Sequence, residues 1–218
     1  MATQPYYNKA GVRLPGVTTV LGGFKDPGAL QYWAWQQGMA GIDYKKSMQK
    51  AASVGTIAHA KVEAFIRGRV FDASPYPPEL LEKAEVPFRA FHEWAEGSKF
   101  RAVQSELPLI SERYQFGGCL DAMLVNGRLS LGDWKTSKAI YPEMWAQVAA
   151  YGILWEENFP DQPIEGGYHI LRFSKDEGEF DHSWLASDNK RLLAARQMFL
   201  NHRDSYRQLR IIEGKEAA

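Results

Sequence analysis

The chain has 218 residues, 45% hydrophobic and 24% charged, with 26 Lys+Arg against 26 Asp+Glu. This length and balance suit one soluble domain whose core needs no cross-links. Cys119 is the one cysteine, which excludes a disulfide framework, a four-cysteine zinc site and a cysteine-held iron–sulfur cluster.

No stretch approaches 18 apolar residues, so no transmembrane helix and no membrane partner are expected. Residues 1–16 lack the apolar run of a signal peptide, which makes a cytoplasmic location the expectation. The neutral total hides a pattern. Residues 41–69 and 187–212 each carry six Lys/Arg against two acids, leaving the remainder at −8. Two basic segments around an acidic middle can form a phosphate-facing rim, although charged helix faces are as often simply solvated.

In chain order, residues 15–24 read as an irregular start with a short β-prone run. Residues 28–40, with Trp33 and Trp35, carry a short helical pattern. Residues 49–68 read as a helix, because Val54, Ile57, Ala58, Val62, Phe65 and Ile66 recur at helical spacing and Gly68 ends it. Residues 72–78 form a loop, and 79–96 a helix with Pro87 as a kink or break. Strands follow at 101–110, 114–125 and 128–135. Pro142 suits the first turn of a helix running to about Asn158. Residues 166–173 and 179–185 read as a hairpin around Lys175-Asp176-Glu177-Gly178, and 188–210 as a basic helix. Helices, three strands, a helix, two strands and a helix make an α/β (α+β) fold: a central mixed sheet of about five strands flanked by helices.

Asn126-Gly127 between two β-prone runs marks a hairpin turn. A two-residue turn would put Asp121 and Asp133 on opposite faces. A three-residue loop, with Gly127 in the left-handed position of a bulge, would pair Leu124 with Arg128 and make the two aspartates diagonal neighbours on one face. That second register is the expected one, and a bulge at Gly132 would have the same effect. Lys135, two residues after Asp133, shares its face. Two carboxylates and an ammonium on one sheet face are costly unless a divalent cation relieves the repulsion. Such a cation can polarise a phosphoryl oxygen and lower the pKa of a bound water, while Lys135 positions that water. The alternative is a surface hairpin with ordinary acids, though aspartate is depleted within strands.

Five pieces occur in sequence. They are Gly55-Thr56-Ile57-Ala58-His59, Glu106, Gly117-Gly118-Cys119-Leu120-Asp121, Asp133-Trp134-Lys135 and Gln147-Val148-Ala149-Ala150-Tyr151. In this order they resemble the PD-(D/E)XK nuclease superfamily, and within it the RecB-like exonucleases. The opening Leu14-Pro15-Gly16-Val17-Thr18-Thr19-Val20-Leu21 is similar to the start of phage exonucleases related to the mitochondrial genome maintenance exonuclease, where Ser is usual at the position of Gly16. The similarity spans roughly residues 14–173 and leaves the C-terminal helix outside.

The resemblance implies a restriction-endonuclease-like core. It divides the chain into an N-terminal extension (1–48), a nuclease core (49–186) and the basic C-terminal helix (187–212) of one domain. It implies His59, Asp121, Asp133 and the backbone carbonyl of Trp134 as metal ligands, Lys135 as the catalytic lysine, and Gln147 and Tyr151 as residues that brace the site or touch DNA. One or two Mg2+ or Mn2+ ions would serve as cofactor. The activity implied is exonucleolytic cleavage of DNA to 5′-phosphate products, in phage or bacterial recombination, repair or replication, within a bacterial or phage-infected cell. Linear or single-stranded ends would be the substrate, and a recombination or single-strand-binding protein a partner. A flap endonuclease with the same chemistry and a catalytically idle DNA-binding module are the alternatives.

Other residues admit two readings. His59 and Glu63 share a helix face, so Glu63 can orient His59, hold a water at a second metal, or be a surface acid. Glu106 can assist metal or water or bind a 5′ phosphate. Imidazole suits manganese better than magnesium. Tyr151 can equally be a packing residue. Trp33, Trp35 and Trp134 can stack bases or fill core, and Thr18 and Thr19 can donate to a phosphate or reflect β-propensity.

Overall fold

The computed structural model describes residues 5–24, 28–175 and 178–215. Two short strands, β1 (Tyr6–Tyr7) and β2 (Arg13–Leu14), precede helices α1 (Val17–Gly22), α2 (Gly28–Met39), α3 (Tyr44–Ile66) and α4 (Pro78–Gly97). Then come β3 (Arg101–Ser111), β4 (Phe116–Asn126), β5 (Arg128–Lys135), α5 (Pro142–Asn158), β6 (Gly167–Phe173), β7 (Phe180–Leu185) and α6 (Lys190–Ile212).

The five long strands form one sheet in the order β3-β4-β5-β6-β7. Every neighbouring pair is antiparallel except β5 and β6, which run parallel. A parallel pair needs a long crossover, and α5 is that crossover. It is buried from Trp145 through Trp155, and Pro142 stands in its first turn, where a missing N–H costs nothing. One core lies between the sheet and α1, α5 and α6, built on Phe116, Leu120, Met123, Leu131, Ile170 and Phe199 among others. The other sheet face carries Ala122, Leu124, Trp134, Leu171 and Phe173, packed on Val62 of α3 and Phe91 of α4.

Three expectations are corrected. The run after Pro15 is the helix α1, not a β-prone segment: Val17, Val20 and Leu21 point into the core at helical spacing, and this tertiary burial outweighs β-branched propensity. Helix α3 starts at Tyr44, capped by the Asp43 carboxylate, which accepts from the Lys45 and Lys46 N–H groups. Helix α4 runs unbroken through Pro87, which is buried. The hairpin β6–β7 forms as expected, with Gly178 at φ +67°; Asp176 and Glu177 of its turn lie outside the described residues.

The β4–β5 register differs from both readings of the turn. Gly127 does take φ +74°, but Leu124 pairs with Ser130 and Asn126 with Arg128. The ladder then ends at Ala122 opposite Gly132. On the other side of β4 the β3 pairing skips one position, between Ser105↔Ala122 and Leu107↔Leu120. The residues at the gap are Glu106, at φ +48°, and Asp121. Leu120 and Met123, three apart, both enter the same core, so strict alternation fails across Asp121. One step beyond the Ala122–Gly132 pair, the β4–β5 register sets Asp121 opposite Asp133, so the two aspartates share a face although the turn is neither of the two expected.

Candidate metal centre

Asp121 sits where β4 has let go of both neighbours. Its Oδ2 bridges the gap to β5 by accepting the Trp134 N–H at 2.8 Å. Glu106 reaches the same space from β3, and its left-handed backbone, unusual for a residue with a Cβ, costs about 1–3 kcal/mol. His59 arrives from α3, with Nδ1 3.9 Å from Asp121 Oδ2. One ligand atom each from His59, Glu106 and Asp121 lie within 4.8 Å of one another, so the three could hold one metal ion. Helix α3 can approach this closely because of Gly55, where a Cβ would come within 3.0 Å of Thr136 Oγ1 just beyond β5.

Asp133 lies beside this trio with no exposed surface. Its Oδ2 pairs with Lys135 Nζ at 2.5 Å, and its Oδ1 has no hydrogen-bond partner among the described residues. A buried carboxylate oxygen left unanswered is costly, and a further cation is a partner this pocket suits. Trp134, between the two, turns its ring to the opposite face and packs among Phe91, Trp94 and Phe173.

Protonation follows from crowding. Burial, then repulsion from Asp121, raises the Glu106 carboxyl to about 7. Burial raises Asp121 and Asp133 as well, against the opposing pull of Lys135. For Lys135, burial works to lower the pKa, but Asp133 and Asp121 outweigh it and the ammonium is favoured. His59 keeps 28% of its side chain open to solvent. Even so, burial first and Lys135 second lower it to about 4, so the imidazole is neutral, as a metal ligand must be. Oxygen donors with one neutral imidazole fit Mg2+ or Mn2+. The raised carboxyls, the neutral histidine and the unanswered Oδ1 of Asp133 all fit a bound divalent ion.

The remaining candidates divide. Tyr151 Oη accepts from Gln147 Nε2 at 2.8 Å, and the Tyr151 hydroxyl is held well above its ordinary pKa by burial and then by the charges of Asp121 and Asp133. The pair therefore adjoins the acids. Gly118 makes room for it, since a Cβ there would lie 2.9 Å from Tyr151 and Leu154. Glu63 points its carboxylate to Arg67 and Arg69, at 3.1 Å each, rather than to His59. Thr18 and Thr19 are exposed on α1 and line a neighbouring cleft with Tyr151 and Cys119. Trp33 is half-buried on α2, and Trp35 is exposed and stacks on Tyr32.

Two participants had no signal in the sequence. Cys119 donates toward Glu106 Oε2 at 3.5 Å, and burial and Glu106 raise its thiol to about 12, so it stays protonated. Lys175, donating to the Ala51 carbonyl, adds positive charge near His59 from beyond β6.

The chain is similar in fold to a solved structure from Eubacterium rectale named "Putative exonuclease", with TM-score 0.51 and 14% identity over 75% of this chain and 69% of that one. The two share a fold. At 14% identity the likeness speaks for nothing finer. A second structure, SSO0001, reaches TM-score 0.32 at 13% identity over 70% of this chain and 74% of that one, which carries no argument. No family profile matches the chain, and no curated protein matches it in sequence. No helix among the described residues is long and apolar enough to cross a membrane.

Proposed function

We propose that this protein is a divalent-metal-dependent deoxyribonuclease that works from DNA ends. The observation that carries the reading is the buried group at the break in the sheet. Three carboxylates, a neutral histidine and one lysine crowd there, and Asp133, paired with Lys135 through Oδ2, has no partner for Oδ1 among the described residues. In this reading His59, Glu106 and Asp121 hold the ion, with Asp133 and the Trp134 carbonyl beside them. Glu106 thus joins the ligands, rather than serving only as an assistant. Bound there, Mg2+ or Mn2+ polarises a phosphoryl oxygen and lowers the pKa of water. Lys135 Nζ orients the attacking water and offsets negative charge as it develops on the phosphate. Asp133 fixes the Lys135 ammonium in place, and Gln147 holds the Tyr151 hydroxyl against the acids. The products are 5′-phosphate ends, and the setting is DNA recombination, repair or replication in a phage or bacterium.

The test uses end-labelled linear DNA and circular single-stranded DNA with Mg2+ or Mn2+. Linear DNA is degraded and circles persist. Circles cut as fast as linear strands would move the assignment to a flap-type endonuclease. No cleavage of either, with DNA binding retained, would leave a binding module.

A further inference from the structure

Beside the metal centre runs a cleft of about 980 Å³, open along one side of the molecule. One end is formed by Cys119 and Tyr151, the residues that touch Glu106 and Gln147. From there it passes α1 and β2 and follows the C-terminal half of α6. Six basic residues line it: Arg13, Arg113, Arg203, Arg207, Arg210 and Lys215. Among the described residues no aspartate or glutamate does. In a chain whose formal charge is zero, this is a strong local excess.

Ion pairing takes up much of the other basic segment and part of this one. On α3, Lys50 pairs with Glu79, Lys61 with Glu85, and Arg67 with Glu63. In the cleft, Arg203 pairs with Asp204, and Arg210 and Lys215 with Glu213, whereas Arg13 and Arg113 form no ion pair among the described residues. Arg113 and Arg203 lie over the Tyr114 ring at 5.0 and 5.8 Å, and Arg203 Nε is buried without a hydrogen-bond partner among the described residues. A buried, unanswered guanidinium N–H is costly, and an anionic oxygen is its natural partner. Tyr6 and Tyr206 add ring faces, and Thr18 and Thr19 add hydroxyl donors.

We propose that this cleft is the track along which a single nucleic-acid strand reaches the metal centre, with α6 as its phosphate-binding wall. Guanidinium groups interleaved with tyrosines suit a strand whose phosphates are neutralised while its bases stack. A volume of 980 Å³ is that of a small-molecule site. It has room for a few nucleotides of one strand. The wall they would follow is a helix that lies outside the nuclease-like part of the sequence. This inference rests on the proposed nuclease reading for its direction but not for its binding surface.

The experiment measures binding of labelled oligothymidylate and of duplex DNA across a salt series, with Ca2+ present, and KM and kcat for strand cleavage with Mn2+. The Arg113→Gln/Arg207→Gln pair should weaken strand binding roughly 10- to 100-fold at low salt and flatten the salt slope by about 1.4, near 0.7 for each lost phosphate contact. KM should rise with kcat kept within about twofold. Lys45→Gln/Lys46→Gln removes the same charge at the exposed start of α3, outside the cleft, and should change binding by less than about twofold. Equal losses in both pairs, no loss in the arginine pair, or duplex bound in preference to single strand would overturn the proposal. Arginine-dependent binding by a wild type that cuts nothing would sink the nuclease reading and leave the track standing. Normal cleavage with unchanged KM in the arginine pair would do the reverse.

Discussion

Glu106 gives the sharpest test of how the centre is held together without metal. Replacing it as Glu106→Gln keeps the shape and the left-handed backbone but removes the charge. In the wild type, burial and Asp121 lift this carboxyl from an ordinary 4.5 to about 7. A raised carboxyl means the folded protein holds a proton that the unfolded chain releases. Stability from this group is therefore present below pH 4.5 and is lost as pH rises through 7. The full shift corresponds to roughly 3 kcal/mol, and partial solvent access reduces the expected effect to about 2 kcal/mol. Urea unfolding in EDTA reads it directly. At pH 5 the two proteins should be nearly equal, and at pH 8.5 the variant should be the more stable by about 2 kcal/mol. Mn2+ should reverse the order, because a ligand at 100 times its Kd adds about 2.7 kcal/mol to the protein that binds it, and the variant has lost a ligand. A variant less stable than wild type at pH 8.5 in EDTA, or stabilised equally by Mn2+, would refute the reasoning.

Other consequences are independent of it. Lys135→Ala should lower kcat at least 100-fold with little change in strand affinity, read by single-turnover cleavage, since in the proposed mechanism the ammonium acts on the developing charge. Gly118→Ala drives a Cβ to within 2.9 Å of Tyr151 and Leu154. It should cost about 1–3 kcal/mol and displace the Tyr151–Gln147 pair, seen as a lower denaturation midpoint together with reduced cleavage. His169 is buried with Nδ1 2.8 Å from His182 Nε2, and burial, then His182, lowers it to about 4. Its stabilisation is complete above pH 6.5 and is lost as pH falls toward 4, by up to about 3 kcal/mol; His169→Gln should flatten that part of the stability profile.

The sheet, its strand order of types and the long helices were legible because each rests on a local pattern. Alternation marks β4 and β5, helical spacing marks α3, and Pro142 marks the start of α5. Helix α1 was not legible, since Val17, Thr18, Thr19 and Val20 are β-branched and only burial against α5 and α6 makes them helical. The central acids could be named from their residue types and the motif around them. Their register could not, because the turn that forms is neither of the two expected, and Glu106 takes a left-handed backbone that no turn rule encodes. Glu106, read as an assistant, brings a ligand atom within 4.8 Å of those of His59 and Asp121. Cys119 and Lys175 meet the centre only through folding. The basic segments looked equivalent by charge count, and only the fold separates them: both carry ion pairs, but the end of α6 lines a cleft beside the metal centre, with Arg13 and Arg113 across from it.

The central claim is that the break in the sheet binds a divalent ion. Mn2+ uptake followed by loss of the free-ion electron paramagnetic resonance signal tests it without any substrate. The account predicts that the wild type takes up one or two ions per chain and that Asp121→Asn takes up none at the same concentration. Uptake unchanged in Asp121→Asn, or DNA cleavage by a wild type that binds no Mn2+ or Mg2+, would contradict it.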